Sequence, residues 1–271
     1  HEVEAGVHPW VAVLDFKSMY PSIMIGKNIC YTTLVDSSRS NNNRMDEELH
    51  VSPTGAKLRK ASERKGLVPE LLEDLMSKRD THKQEMRIAK ETNNQVKLQF
   101  HDAMQYAVKI LMNSFYGVFA SSFYRFTHKD LGSSITAWAR YNIKQIISQL
   151  DSEGYKVVYS DTDSIFVKAP IKKNTDYETS KEILIDFGIK IADRFSKDQA
   201  ELEFEKGLSA FFSHGAKKRY IGRIVWPNED MVIRGYETRR TDSFNLLTEA
   251  MLEIFEMILD GREDEAVGYA V

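Results

Sequence analysis

The chain has a single cysteine, Cys30. One cysteine cannot form an intrachain disulfide, and there is no Cys/His cluster for zinc or an iron–sulfur centre. Cys30 reads as a small buried thiol, which fits a reducing compartment. Long apolar runs are missing as well. No stretch of 18 apolar residues occurs, so neither a transmembrane helix nor a membrane partner is expected. No secretory signal is recognised. The first residue is His1 rather than Met, so the chain reads as a fragment or a processed piece of a longer polypeptide. Charge of one sign is also lacking. The 37 Lys and Arg stand against 40 Asp and Glu, a net charge of −3. Any nucleic-acid binding must therefore rest on local basic patches. What remains is ordinary globular material: 271 residues, 42% hydrophobic, enough for two domains or one large domain with an insertion.

The organisation follows from periodicity. Trp10-Val11-Ala12-Val13-Leu14 reads as a buried strand ending at Asp15. Pro21 and Ser22 allow a turn into a short helix. From Asp36 to Gly66 the chain is polar, with Ser37–Asn43 its least structured part, and the stretch reads as a loop. Pro69 suits the first turn of a helix that runs to about Thr92, with Leu71, Leu72, Leu75, Met76 and Met86 on its apolar side. Asn93-Asn94 breaks it. A second helix follows from about Gln95 to Phe115, with Ala103, Tyr106, Ala107, Ile110 and Leu111 at helical spacing. Two such helices joined by a short turn form an antiparallel hairpin, each spanning roughly 30 Å. A third helix, from about Leu131 to Leu150, carries a continuous core stripe from Ile135 through Trp138, Ile143 and Ile147. Residues 180–200 suggest one more amphipathic helix. Short strands are expected near 202–204, 211–212, 219–225 and 231–234, and a last helix from about Phe244. Strands and helices mix without regular alternation, which argues for an α+β fold with an antiparallel sheet.

Tyr159-Ser160-Asp161-Thr162-Asp163-Ser164 is the most informative segment. It sits between two β-branched and aromatic runs, the signature of a hairpin. Alternate residues of a strand point the same way, so Asp161 and Asp163 are expected to project to one side. Close carboxylates repel, and Mg²⁺ or Mn²⁺, which take oxygen ligands, would relieve that. A bare Asp-x-Asp also occurs in exposed turns. Asp15, at the end of a buried strand, supplies a third carboxylate if the sheet brings the three together. That would suit two divalent ions about 3.5–4 Å apart, as in phosphoryl transfer. On the helical hairpin, Arg79 and Lys83 share a face, as do Lys109 and Asn113. Residues 57–97 hold eleven Lys/Arg against seven Asp/Glu. A basic helical face of this kind could hold a triphosphate, or could simply be solvated. Lys217-Lys218-Arg219-Tyr220 opens a second patch, followed by Arg223, Arg234, Arg239 and Arg240, with Trp226 and Tyr236 interleaved. Basic residues with aromatics suit a groove that tracks a nucleic-acid backbone.

Three segments, in order, resemble the motifs of family B DNA-dependent DNA polymerases. Asp15-Phe16-Lys17-Ser18-Met19-Tyr20-Pro21-Ser22 resembles motif A. Lys109-Ile110-Leu111-Met112-Asn113-Ser114-Phe115-Tyr116-Gly117 resembles motif B, and Tyr159–Ser164 resembles motif C. Lys217–Tyr220 is similar to the basic motif that the family places against primer and template. The resemblance runs from about residue 4 to the end. It implies an antiparallel-sheet palm with packed helices, a two-helix fingers insertion and the start of a helical thumb. The boundaries it implies are palm over 1–56, fingers over 57–117, palm again over 118–235 and an incomplete thumb over 236–271.

The resemblance also implies roles. Asp15 and Asp163 would bridge two Mg²⁺ ions, which Mn²⁺ can replace, with Asp161 a secondary carboxylate and the Phe16 carbonyl a further ligand. Glu205, or else Glu203, would be the acidic residue near the metals, its spacing offset by about one residue. Backbone amides around Ser18, Met19 and Tyr20 would cradle the triphosphate, and Tyr20 would exclude a ribose 2′-OH. Arg79, Lys83 and Lys109 would hold the phosphates of a dNTP, with Asn113 in support and Lys109 a candidate for neutralising the leaving group. Tyr116 and Gly117 would line the nascent base pair. Lys217, Lys218, Arg219, Tyr220 and Arg240 would contact primer–template DNA. Ser160 stands where the family more often has Gly. A second polymerase chain supplying the exonuclease and thumb is an implied partner, and an intracellular site is implied: cytoplasm or nucleoid in a prokaryote, nucleus in a eukaryote. The competing readings are a weak or inactive palm kept as a DNA-binding scaffold, and another two-metal enzyme such as an RNA polymerase or a nuclease.

Overall fold

The computed structural model describes residues 3–35, 48–196, 201–236 and 245–270. The expected loop at Ser37–Asn43, Arg239, Arg240 and the expected helix start at Phe244 lie outside the described residues. Contacts divide the chain into two compact units.

The first unit comprises residues 1–16, 143–196 and 201–271. It is built on a six-stranded sheet of β1 (Gly6–Phe16), β4 (Val157–Asp161), β5 (Ser164–Lys168), β6 (Leu202–Ser213), β7 (Tyr220–Trp226) and β8 (Asp230–Arg234). The spatial order is β4-β5-β1-β6-β7-β8, and every neighbouring pair is antiparallel. Val11, Ala12, Val13 and Leu14 of β1 are all buried. A strand covered on both faces needs such an unbroken apolar run. One face gathers Val11, Val13, Tyr159, Phe166, Leu208 and Phe211 into a core. On α5 (Tyr177–Phe195), Leu184, Phe187 and Ile191 are buried where it packs on β1 and β6. Asp176 caps this helix by accepting from the Thr179 amide at 3.0 Å. α6 (Asn245–Leu259) lays Phe255 and Leu259 on Ala210, Ile221 and Ile233, and α7 (Glu263–Ala270) follows.

Two short strands expected within 202–212 are one long strand, β6. Within it, Gly207 lies where α5 comes close to the strand. A Cβ there would stand 2.9 Å from Leu184 Cδ2. Glycine in a strand marks such a close approach.

The second unit comprises residues 17–142 and 197–200. It holds α1 (Met19–Gly26), a small hairpin of β2 (Leu49–Val51) and β3 (Lys57–Arg59), α2 (Leu67–Glu91), α3 (Gln95–Ala120) and most of α4 (Lys129–Ser152). The β2–β3 hairpin corrects the expectation of loop up to Gly66. Its buried residues are Leu49 and Leu58, too few in an otherwise polar stretch to announce strands. Asn28 fixes the approach to α2. Its Nδ2 donates to the Arg59 and Arg64 carbonyls at 2.8 and 2.9 Å, and its Oδ1 accepts from the Gly66 amide at 2.8 Å. Cys30 is buried and free, as expected. α2 and α3 form the expected antiparallel hairpin, but the apolar stripe of α3 is not core. Tyr106, Ile110 and Leu111 are exposed, and the buried side chains of α3 are Met112 and Phe119. A pair of helices offers only one seam, so periodicity reveals the helix without revealing which face is covered. α4 keeps its expected stripe, with Ile135, Trp138, Ile143, Ile146, Ile147 and Leu150 all buried.

Candidate active site

In the sheet unit, β1 ends beside the β4–β5 hairpin. The Phe16 amide donates to the Asp163 carbonyl at 3.0 Å, and Asp15 lies opposite Ser164 on one side and Glu203 on the other. A cavity of about 260 Å³ opens here, lined by Asp15, Asp163, Glu205, Lys206, Tyr220 and Arg234 among others. Burial first, then the charges of Asp163 and Glu205, push the Asp15 carboxyl up to about 7, with Lys206 opposing them. Three carboxylate residues line this cavity: Asp15, Asp163 and Glu205.

Asp161 is not on that wall. The turn of the hairpin is Thr162-Asp163, with Thr162 at φ 48, so Asp161 and Asp163 are not alternate residues of one strand. This corrects the expectation that the two project together. The Asp161 carboxylate instead stands 3.5 Å from Lys218 Nζ. The Tyr159 hydroxyl accepts from the Lys218 amide at 3.0 Å, and Lys218 takes φ 65. Motif C thus holds the basic turn between β6 and β7 at two points.

Glu205 joins the cavity because of a β-bulge. The β1–β6 register shifts between Val13 and Leu14, so Leu14 pairs with Phe204, Val13 pairs with Lys206, and Glu205 is left opposite no residue. Glu205 forms a 2.6 Å ion pair with Lys206, a partner that sequence reasoning missed and that only its adjacency in the chain could have suggested. Lys217, Lys218 and Arg219 are exposed on the turn. Tyr220 is not: its ring packs on Tyr159, Phe166 and Phe211 at centroid distances of 5.2–5.6 Å. Burial pushes its hydroxyl up to about 12, and Arg234 hydrogen-bonds to it.

In the helical unit, Ser18 is the N-cap of α1 in a left-handed conformation, φ 49. Its Oγ accepts from Arg79 Nη1 at 3.1 Å. Arg79 is only 8% exposed, and among the described residues its Nε finds no hydrogen-bond partner. A buried guanidinium with unused donors is a costly arrangement that an anion would relieve. Lys17, missed in the sequence, pairs with Asp80 at 3.5 Å and ties motif A to α2. The rings of Tyr20 and Tyr116 meet at 4.6 Å. Lys83 is half-buried on α2, and Lys109 and Asn113 are exposed on α3. A Cβ on Gly117 would meet nothing within 4 Å.

Comparison with known proteins decides the family. A family model described as DNA polymerase family B matches residues 4–269. The chain belongs to DNA polymerase family B. It is 34% identical over 266 residues to DNA polymerase 2 of Aeropyrum pernix, covering 97% of this chain and 30% of that protein. It is 31% identical to the DNA polymerase delta catalytic subunit of Caenorhabditis elegans, covering 94% of this chain and 24% of that one. Among solved structures, the family B DNA polymerase of Pyrobaculum calidifontis matches with a TM-score of 0.69 and 28% identity, over 98% of this chain and 32% of the other. The chain thus spans about a third or less of the relatives it matches. The mixed α/β architecture on an antiparallel sheet is the one expected of a family B polymerase segment.

Proposed function

We propose that this chain is the palm and fingers region of a template-directed DNA polymerase. It would join dNTPs to a primer 3′-OH, with attack on the α-phosphate and release of pyrophosphate. Residues 1–56 and 118–235 are assigned to the palm, 57–117 to the fingers and 236–271 to the start of the thumb. The observation that carries the reading is the convergence of Asp15, Asp163 and Glu205 on one cavity, with Asp15 raised to about 7. Such crowded carboxylates fit a divalent cation, which would lower their mutual repulsion. Asp15, Asp163 and the Phe16 carbonyl would hold Mg²⁺, with Glu205 nearby. When bound, the metal would supply charge neutralisation at the reacting phosphate.

The remaining steps belong to the chain's own side chains. Arg79, Lys83 and Lys109 would take the triphosphate oxygens, and Asn113 would support them. The Tyr20–Tyr116 pair would face the sugar and the nascent base pair. Lys109 would neutralise the departing pyrophosphate. Asp161 would set the position of Lys218, which with Lys217 and Arg219 would contact the DNA backbone. Tyr220 would brace this patch from inside the sheet core. A further polymerase segment or chain would supply exonuclease and thumb, and a DNA template would place the reaction inside the cell.

The competing reading is a DNA-binding palm without effective catalysis. It rests on the exposed basic turn of Lys217, Lys218 and Arg219, which can hold DNA without any chemistry. Primer extension with Mg²⁺ separates the two. Extension by the parent chain that is abolished in Asp163→Asn is the expected result. Extension that survives in D163N, or that the parent never shows, overturns the catalytic reading.

A further inference from the structure

We propose that His82 and His101 form a transition-metal site on the helical hairpin, a chelating pair of imidazoles that takes Cu²⁺, Ni²⁺ or Zn²⁺. His82 lies on α2 and His101 on α3, and their Nδ1 atoms stand 3.0 Å apart across the seam. The ring centroids are 5.3 Å apart, and the rings are tilted by 42°. Two nitrogens on one ion, with bonds of about 2.0–2.1 Å at angles of about 90–110°, lie roughly 2.8–3.4 Å apart. The observed separation therefore matches the edge of a coordination shell, and an ion would enter as the two rings turn so that both Nδ1 lone pairs converge on it. Without a cation the same geometry serves as a hydrogen bond, one Nδ1–H donating to the other Nδ1.

Three further features support the site. Both rings are half-buried, so their rotamers are restricted before binding. Phe100 packs edge-on against His82 at 6.4 Å and against His101 at 5.1 Å, an apolar wall that orients both. Neutral imidazole suits Cu²⁺, Ni²⁺ and Zn²⁺ and is a poor ligand for Mg²⁺. The pair is thus chemically distinct from the carboxylates around Asp15. Among the described residues no third His, Cys, Asp or Glu completes a set, so water fills the remaining positions. A bound ion would cross-link α2 to α3 at the residue next to Lys83. The inference does not depend on the polymerase reading.

Cu²⁺ titration of the chain, read by electron paramagnetic resonance, tests it. One equivalent should bind with hyperfine structure from two imidazole nitrogens, and the thermal midpoint should rise. His82→Gln and His101→Gln should each weaken binding by at least about tenfold and remove the two-nitrogen pattern. The two changes lie on different helices, so one variant serves if the other fails to fold. Asp163→Asn should bind Cu²⁺ as the parent does. If H82Q and H101Q keep the parent's affinity and spectrum, if D163N alone loses them, or if the parent shows no saturable binding, the site is refuted.

Discussion

Asp15 sits where burial and two neighbouring carboxylates oppose its ionisation. Its folded pKa of about 7 lies above the ordinary 3.8, so the folded state holds this proton more tightly than the unfolded chain does. The stabilisation this gives is complete below the unfolded value and is lost as pH rises through the folded one. In metal-free solution, Asp15→Asn should therefore be more stable than the parent at about pH 8, and the advantage should vanish near about pH 4. After a discount for the partial exposure of the group, the difference at the alkaline end should be on the order of 1–2 kcal/mol. Urea unfolding of both proteins across that range, with a chelator present, measures it. A difference independent of pH would mean that the carboxylate is not crowded as described. Tyr20 makes a second residue-scale case. Its ring rests on Tyr116 at 4.6 Å, so it is braced rather than free to swing aside. If it excludes a 2′-OH, Tyr20→Ala should raise kcat/KM for ribonucleotides relative to deoxynucleotides by at least about tenfold. An unchanged ratio would remove the gate.

Among the elements, the contact of α5 with β6 is the tightest test of packing near the site. A Cβ on Gly188 would lie 2.4 Å from the Phe204 ring. That ring stacks on Trp226 at 4.5 Å with an interplanar angle of 10° and has little room to yield. Gly188→Ala should cost about 1–3 kcal/mol, read as a lower midpoint in denaturant. Phe204 lies between Glu203 and Glu205, so the same change should depress activity beyond its effect on stability. The elements also show how far the sequence can be read. β1 and α4 were legible because their apolar runs are buried continuously. β6 was not, because Gly207 marks an approach of α5 rather than a chain reversal, and that needs a third dimension to see. The stripe on α3 revealed a helix but pointed outward. At the site, Asp15 and Asp163 were legible from their motifs. The separation of Asp161 from Asp163 depends on a turn conformation, and the arrival of Glu205 depends on a bulge. The turn leaves no signal in spacing, and Glu205 was legible only through the resemblance.

At the scale of the whole molecule, two compact units carry two kinds of charge: crowded carboxylates on the sheet, and a buried Arg79 with other cations on the helices. The net charge of −3 gives no general attraction for DNA, so affinity must come from counterions released at particular Lys and Arg contacts. Lys217 and Lys218 are exposed on the β6–β7 turn, and they should differ. Lys217 has open solvent for a phosphate, whereas Lys218 already faces Asp161 at 3.5 Å. In a plot of log affinity for primer–template DNA against log salt, Lys217→Ala should reduce the slope by about 1. Lys218→Ala should reduce it by about 1 only if DNA draws its ammonium away from Asp161, and otherwise by less. The variant Asp161→Asn distinguishes these cases: by freeing Lys218 it should steepen the parent's salt dependence if the ion pair competes with phosphate. Fluorescence anisotropy with a labelled hairpin duplex supplies the slopes. If K217A and K218A both leave the slope unchanged, the duplex does not run along this turn, and the assignment of the basic motif to DNA fails.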